Sequence, residues 1–132
     1  MAGSLNPAPS PPGTIMRDMS WSQTEKAVAR RAFNLALRRE LDAVIQETKD
    51  RAGRIEKPEE LWDLERYLTQ RRREIDDKYD YRYSVLLLVF ARLICEGRLS
   101  ASDLHGLDED KLERIRHIVN GARQTLDRKK QL

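Results

Sequence analysis

At 132 residues, with 36% charged and 39% hydrophobic side chains, the chain has room for one domain and too little apolar material for a thick core. Its 25 basic and 22 acidic residues are mostly interleaved, so the net charge of +3 describes solvated helix faces and does not indicate nucleic acid. Four of the five prolines fall before position 13 and only six glycines occur, which leaves an interior almost free of breakers and points to an all-α fold.

Residues 1–19 include Ser4-Leu5-Asn6-Pro7-Ala8-Pro9-Ser10-Pro11-Pro12-Gly13, a Pro/Ser/Gly-rich stretch without apolar period. It is expected to be a disordered tail; a polyproline partner motif is the alternative, but such spacings are common by chance. No basic-then-apolar leader opens the sequence, and a cytoplasmic location is expected. Ser22-Gln23-Thr24-Glu25 is a capping box, with Trp21 before it as a staple against the Lys26 methylenes or a partner surface. The helix it starts is predicted to run to about Ala52, with Gly53 as its stop. Val28, Ala32, Phe33, Leu37, Leu41, Val44, Ile45, Thr48 and Ala52 form one stripe at spacings of three and four. Arg30, Arg31, Arg38, Arg39, Glu47 and Asp50 take the other face.

Pro58, followed by Glu59 and Glu60 in the positive first turn, opens a second helix. Leu61, Leu64, Leu68 and Ile75 make its stripe, with Trp62 and Tyr67 to the side. The short connection from Gly53 to Lys57 implies an antiparallel hairpin. Such a hairpin leaves an apolar seam, and a twofold contact through Leu61, Trp62 and Leu64 would cover it, so a homodimer is expected. Arg71-Arg72-Arg73 reads as a solvated face, with Glu74 and Asp76 near enough to pair; an anion or acidic-surface contact is the alternative. Glu74, Asp76, Asp77 and Asp80 crowd the next stretch, but their spacing matches no calcium loop and no glycine supplies the turn. That stretch is read as a helix boundary or kink, and no metal is expected.

Ser84 to Gly97 is apolar nearly all round and is predicted to be a buried helix stopped by Gly97, with Cys95 a small core residue. The lone cysteine excludes an intramolecular disulfide and fits a reducing compartment. The run Val85–Ala91 is far short of the ~20 residues that span a bilayer, so no integral membrane segment is expected. Ser100 starts a short helical turn ended by Gly106. Asp108 caps a last helix carrying Leu107, Leu112, Ile115, Ile118, Val119, Ala122 and Leu126 on one face, and Arg128–Leu132 should fray. His105 and His117 lie in no HxxxH, HExxH or CxxC context, no glycine-rich phosphate loop occurs, and no nucleophile-base-acid set can be assembled. The chain is therefore read as no enzyme, without cofactor, acting through a protein-binding surface. The organisation expected is a tail over 1–19, a long dimerising hairpin over 20–80 and a small helical head over 81–132.

The block Leu61-Trp62-Asp63-Leu64, the run from Arg72 to Val85 and the run Val89-Phe90-Ala91-Arg92-Leu93-Ile94-Cys95-Glu96-Gly97 together resemble the fluorescence recovery protein family. Trp21-Ser22-Gln23 and Arg39-Glu40-Leu41-Asp42 extend the resemblance over roughly residues 21–116. It implies an all-α homodimer without chromophore that binds the photoactivated orange carotenoid protein and speeds its return to the resting form. That would end non-photochemical quenching and restore antenna fluorescence, at or near photosynthetic membranes. Carried over by position, Leu61, Trp62 and Arg72 match the family's dimer-interface patch. Leu88 and Arg114 fall where the family carries phenylalanine and lysine on the head; leucine there is expected to keep the burial, and arginine the charge. Within the patch, Glu65-Arg66 replaces a histidine-aspartate pair and rearranges the local charge. This departure and the long tail motivate a second reading, a dimeric adaptor of the same fold with another protein partner. A nucleic-acid binder resting on Arg71-Arg72-Arg73 and the basic end is a third, opposed by the interleaved acids.

Overall fold

The computed structural model describes residues 20–131, with side chains described through Leu126. The expected tail over 1–19 lies outside the described residues. Four α-helices follow in order: α1 Gln23–Gly53, α2 Pro58–Lys78, α3 Leu86–Cys95 and α4 Glu109–Gln131, with a short 3-10 turn at Ala101–Leu104 before α4. The fold is all-α, as the sequence predicts.

The helix starts follow the local chemistry. Ser22 Oγ accepts from the Glu25 amide at 3.1 Å, and the Ser22 amide donates to Glu25 Oε1 at 3.0 Å, which completes the capping box. At α2, Pro58 sits in the first turn and Glu60 Oε1 accepts from the Lys57 amide at 3.0 Å. Asp108 Oδ1 accepts from the Lys111 amide at 3.0 Å and caps α4. The α4 backbone stays helical to Gln131, through most of the segment expected to fray.

The main core lies under the first half of α1, not along the whole hairpin. Val28, Ala32, Phe33 and Ala36 pack with Leu86, Phe90 and Leu93 of α3, Leu104, and Ile115 and Val119 of α4. Phe90, Leu86 and Leu93 are fully enclosed; each such side chain contributes roughly 1.5–3 kcal/mol. Two glycines make this packing possible. Gly97 (φ 78°) turns the chain out of α3. At Gly106 (φ 116°) a Cβ would stand 2.6 Å from Val28 Cγ2, so only glycine lets this loop touch α1.

Several expectations are corrected. α3 starts at Leu86 rather than Ser84, and it is not apolar all round. Leu88, Arg92 and Cys95, at i, i+4 and i+7, form an outward stripe, so Cys95 is exposed and is no core residue. The Trp21 ring packs against Tyr83 at 5.1 Å with Lys111 Nζ 4.9 Å above it. At the end of the apolar face of α4, Ala122 and Leu126 are exposed.

The acidic stretch is a helix boundary, as read. α2 runs through Asp76 and Asp77 to Lys78, and the Tyr79 amide donates to the Ile75 carbonyl at 2.9 Å. From there Tyr79, Tyr81 and Tyr83 alternate with Asp80 and Arg82. Tyr79 and Tyr81 stand edge-on to Phe33 at 5.4 and 4.9 Å, and Tyr83 meets Tyr81 at 5.6 Å. Asp80 and Arg82 pair outside. The joint is thus a non-helical strap whose rings lie on α1.

Candidate interaction surface

Beyond Ala36 the stripe of α1 is left without cover from the head. Leu41 and Ile45 are 41% and 50% exposed, and on α2 Leu61, Trp62 and Leu68 are 49%, 58% and 39% exposed. Between the two helices runs an open groove of about 820 Å³, lined by Phe33, Leu37, Leu41, Val44, Leu68 and Ile75, with Arg71, Arg72 and Asp76 at its polar edge. The two helices of the hairpin thus carry large apolar side chains that this chain leaves exposed.

Of the residues predicted from sequence, Leu61 and Trp62 are exposed on α2 and Leu64 is half-buried. Arg72 is exposed at the groove edge. Glu65 accepts from Thr69 Oγ1 at 3.1 Å and Arg66 pairs with Asp63, both within α2. Leu88 is 46% exposed, not buried as expected, because it heads the outward stripe of α3. Arg114 is partly buried on α4, in a shallow polar cleft with Asp110, Glu113 and His117. Leu88 and Arg114 therefore sit on the head, apart from the hairpin set.

Arg71 departs from the solvated-face reading. Its guanidinium donates to Glu40 Oε2 at 2.7 Å and to Glu74 Oε2 at 2.9 Å. Glu40 is 2% exposed and is the centre of an ionic hub. Lys78 Nζ lies 2.7 Å from its Oε1, Tyr79 OH donates to it at 2.9 Å, and Arg98 Nε stands 3.7 Å away. Lys78 also meets Glu96 at 2.6 Å. Burial alone would raise the Glu40 pKa, but hydrogen bonds from Lys78, Arg71 and Tyr79 bring it down to about 2. This hub joins α1, the end of α2 and the end of α3, and so fixes the hairpin to the head.

A second clamp closes the other end. Glu25, also buried, accepts from the Asp108 amide at 3.0 Å and pairs with Lys111 at 3.1 Å. Burial raises its pKa, while the Ser22 and Asp108 amides and Lys111 lower it to about 2. Lys111 Nζ donates further to the Ser20 carbonyl at 2.6 Å. Arg39 adds a third tie, to the Arg98 carbonyl at 2.9 Å and Asp103 at 2.8 Å.

Sequence reading missed the hub and the strap, although both leave a trace. Val28, Ala32, Ala36 and Glu40 recur every four residues, so Glu40 is a lone acid on the buried line of α1. Tyr79, Tyr81 and Tyr83 recur every two, a period no helix has.

A family model described as photoprotection regulator fluorescence recovery protein matches residues 21–119. The chain belongs to the fluorescence recovery protein family. It is 41% identical over 99 residues to the Fluorescence recovery protein of Synechocystis sp. strain PCC 6803, covering 75% of this chain and 91% of that one. The solved structure of the Fremyella diplosiphon Fluorescence Recovery Protein is 48% identical, with a TM-score of 0.73 over 76% of this chain and 99% of that one. The Synechocystis structure gives the same TM-score and coverage at 39% identity. As a member of this family the chain is a photoprotection regulator. Among the described residues no helix is long and apolar enough to cross a membrane, and no group of side chains could hold a metal ion.

Proposed function

We propose that this chain is a homodimer that binds the photoactivated form of an orange carotenoid protein and accelerates its return to the resting form, so restoring antenna fluorescence. The observation that carries the reading is the uncovered hairpin face, with Leu41 and Leu68 lining an apolar groove and Ile45, Leu61 and Trp62 exposed on the same two helices, in a chain of a photoprotection-regulator family. A second copy set across a twofold axis buries the same patch on both chains. The hairpin supplies the dimer, and the head, with Leu88 and Arg114, carries contacts to the partner.

No covalent step is needed. A photoactivated partner with separated domains relaxes when those domains reassociate, and a rigid body touching both raises their effective concentration. To accelerate the process, the protein must hold the reassociating state more tightly than the separated or closed one. Release of the compact product then allows turnover.

The test mixes the protein, at well below equimolar amounts, with photoactivated orange carotenoid protein and follows absorbance in the dark. The expected result is faster recovery at every amount added. An unchanged recovery rate across several carotenoid-protein types would remove the reading.

A further inference from the structure

Between Lys26 and Arg39 the sequence holds five basic residues and no acid. The acids that bound this stretch are turned inward, Glu25 onto Lys111 and Glu40 onto Lys78. Arg38 and Arg39 are engaged by Asp42 and Asp103. Lys26, Arg30 and Arg31 are left without an ion-pair partner among the described residues, whereas Asp80, the acid of the neighbouring strap, is held by Arg82. The three cations occupy roughly 140° of arc and about 8 Å of axis on the first three turns of α1. Two rest on the tyrosine strap: the Arg30 guanidinium lies 3.6 Å from the Tyr81 ring centre and Lys26 Nζ 5.7 Å from that of Tyr83.

From this row we infer a docking surface for an acidic protein segment, separate from the hairpin groove. Stacking on Tyr81 orders the Arg30 guanidinium in advance, as two-point recognition of a carboxylate requires. Three cations would neutralise only about three phosphates, a small footprint for a nucleic acid. Ala27 and Asn34 fill its gaps, so it offers no large apolar side chain to insert into a membrane. Two or three carboxylates on a protein loop or helix match its extent. That the segment belongs to the carotenoid protein rests on the function proposed above; the acidic chemistry does not.

The test compares the wild type with a variant carrying Lys26→Gln, Arg30→Gln and Arg31→Gln, whose helicity and mass are checked to show an intact fold and assembly. Two probes are used: photoactivated orange carotenoid protein, and an octaglutamate peptide followed by amide shifts. The variant should bind the carotenoid protein about tenfold more weakly at low salt and with a flatter salt dependence. Arg30→Lys with Arg31→Lys should restore the salt dependence but only part of the affinity, because an ammonium cannot hold a carboxylate at two points. The peptide should shift amides around residues 26–34 in the wild type and not in the variant. Equal binding of the carotenoid protein by wild type and variant overturns the inference. So does row-dependent binding to phosphatidylglycerol vesicles with none to the peptide. Peptide shifts confined to the row, with no binding of carotenoid protein by the wild type, uphold the surface and remove the proposed function. Absence of both removes the two together.

Discussion

From Val28 to Ala36 the inward side chains of α1 are at most 6% exposed, while Leu41 and Ile45, on the same stripe a turn or two further, are 41% and 50% exposed. The difference lies in what each half meets. The first half is covered by α3, α4 and the tyrosine strap and is tied down by Glu25, Arg39 and Glu40. The second half meets α2 alone, across an open groove. Helical periodicity specifies where apolar side chains point; it says nothing about whether the surface they meet belongs to the same chain. The head-bound half is a domain core, and the hairpin half has the exposure of an interface awaiting a partner.

Acid should separate the two halves most strongly. Glu25 and Glu40 have folded pKa values of about 2 against an ordinary 4.5. Their stabilisation is therefore complete above about pH 4.5 and lost as pH falls from there toward 2. At about 1.4 kcal/mol per pKa unit, the two clamps together lose on the order of 5 kcal/mol by pH 2. Urea unfolding at pH 7 and pH 3 measures the part lost in that range, and a flat profile would mean the clamps are not ionic.

Glu40→Ala comes next. It leaves the buried Lys78 with Glu96 alone and Arg71 with Glu74 alone, and removing one partner of a buried pair costs up to roughly 3–5 kcal/mol. Removing the exposed Asp63–Arg66 pair from the hairpin should cost below about 1 kcal/mol. Thermal unfolding of the two variants gives the contrast directly.

Gly106→Ala is expected to cost about 1–3 kcal/mol, since the new Cβ meets Val28 and the backbone is left-handed. Gly121→Ala, in open space on α4, should instead stabilise by about 0.5–1 kcal/mol. Denaturant midpoints of both variants check the pair of signs.

Much of the fold was legible because each helix announces itself. Ser22, Pro58 and Asp108 open α1, α2 and α4, and Gly97 closes α3. The hairpin stripe was legible from its spacing, but periodicity alone could not say that Leu61 and Trp62 would be left exposed. The hub was not legible, since Glu40 finds Lys78, Arg71, Tyr79 and Arg98 only after the head folds back onto α1. Cys95 and Leu88 were misread for a related reason. Ten apolar-rich residues look buried all round until the packing leaves one stripe outside.

The smallest effect on the folded chain itself, and the sharpest test of the comparison, comes from the hairpin. Leu61 is already half-exposed, so Leu61→Glu should leave helicity unchanged, while in a dimer seam it buries an unpaired charge at a cost of several kcal/mol. Light scattering on both forms measures this directly. The wild type should show twice 15.4 kDa at micromolar concentration, on the order of −8 kcal/mol or better, and Leu61→Glu should give folded monomers. A monomeric wild type, or a variant that stays fully dimeric, would contradict the assignment of the hairpin face as the interface.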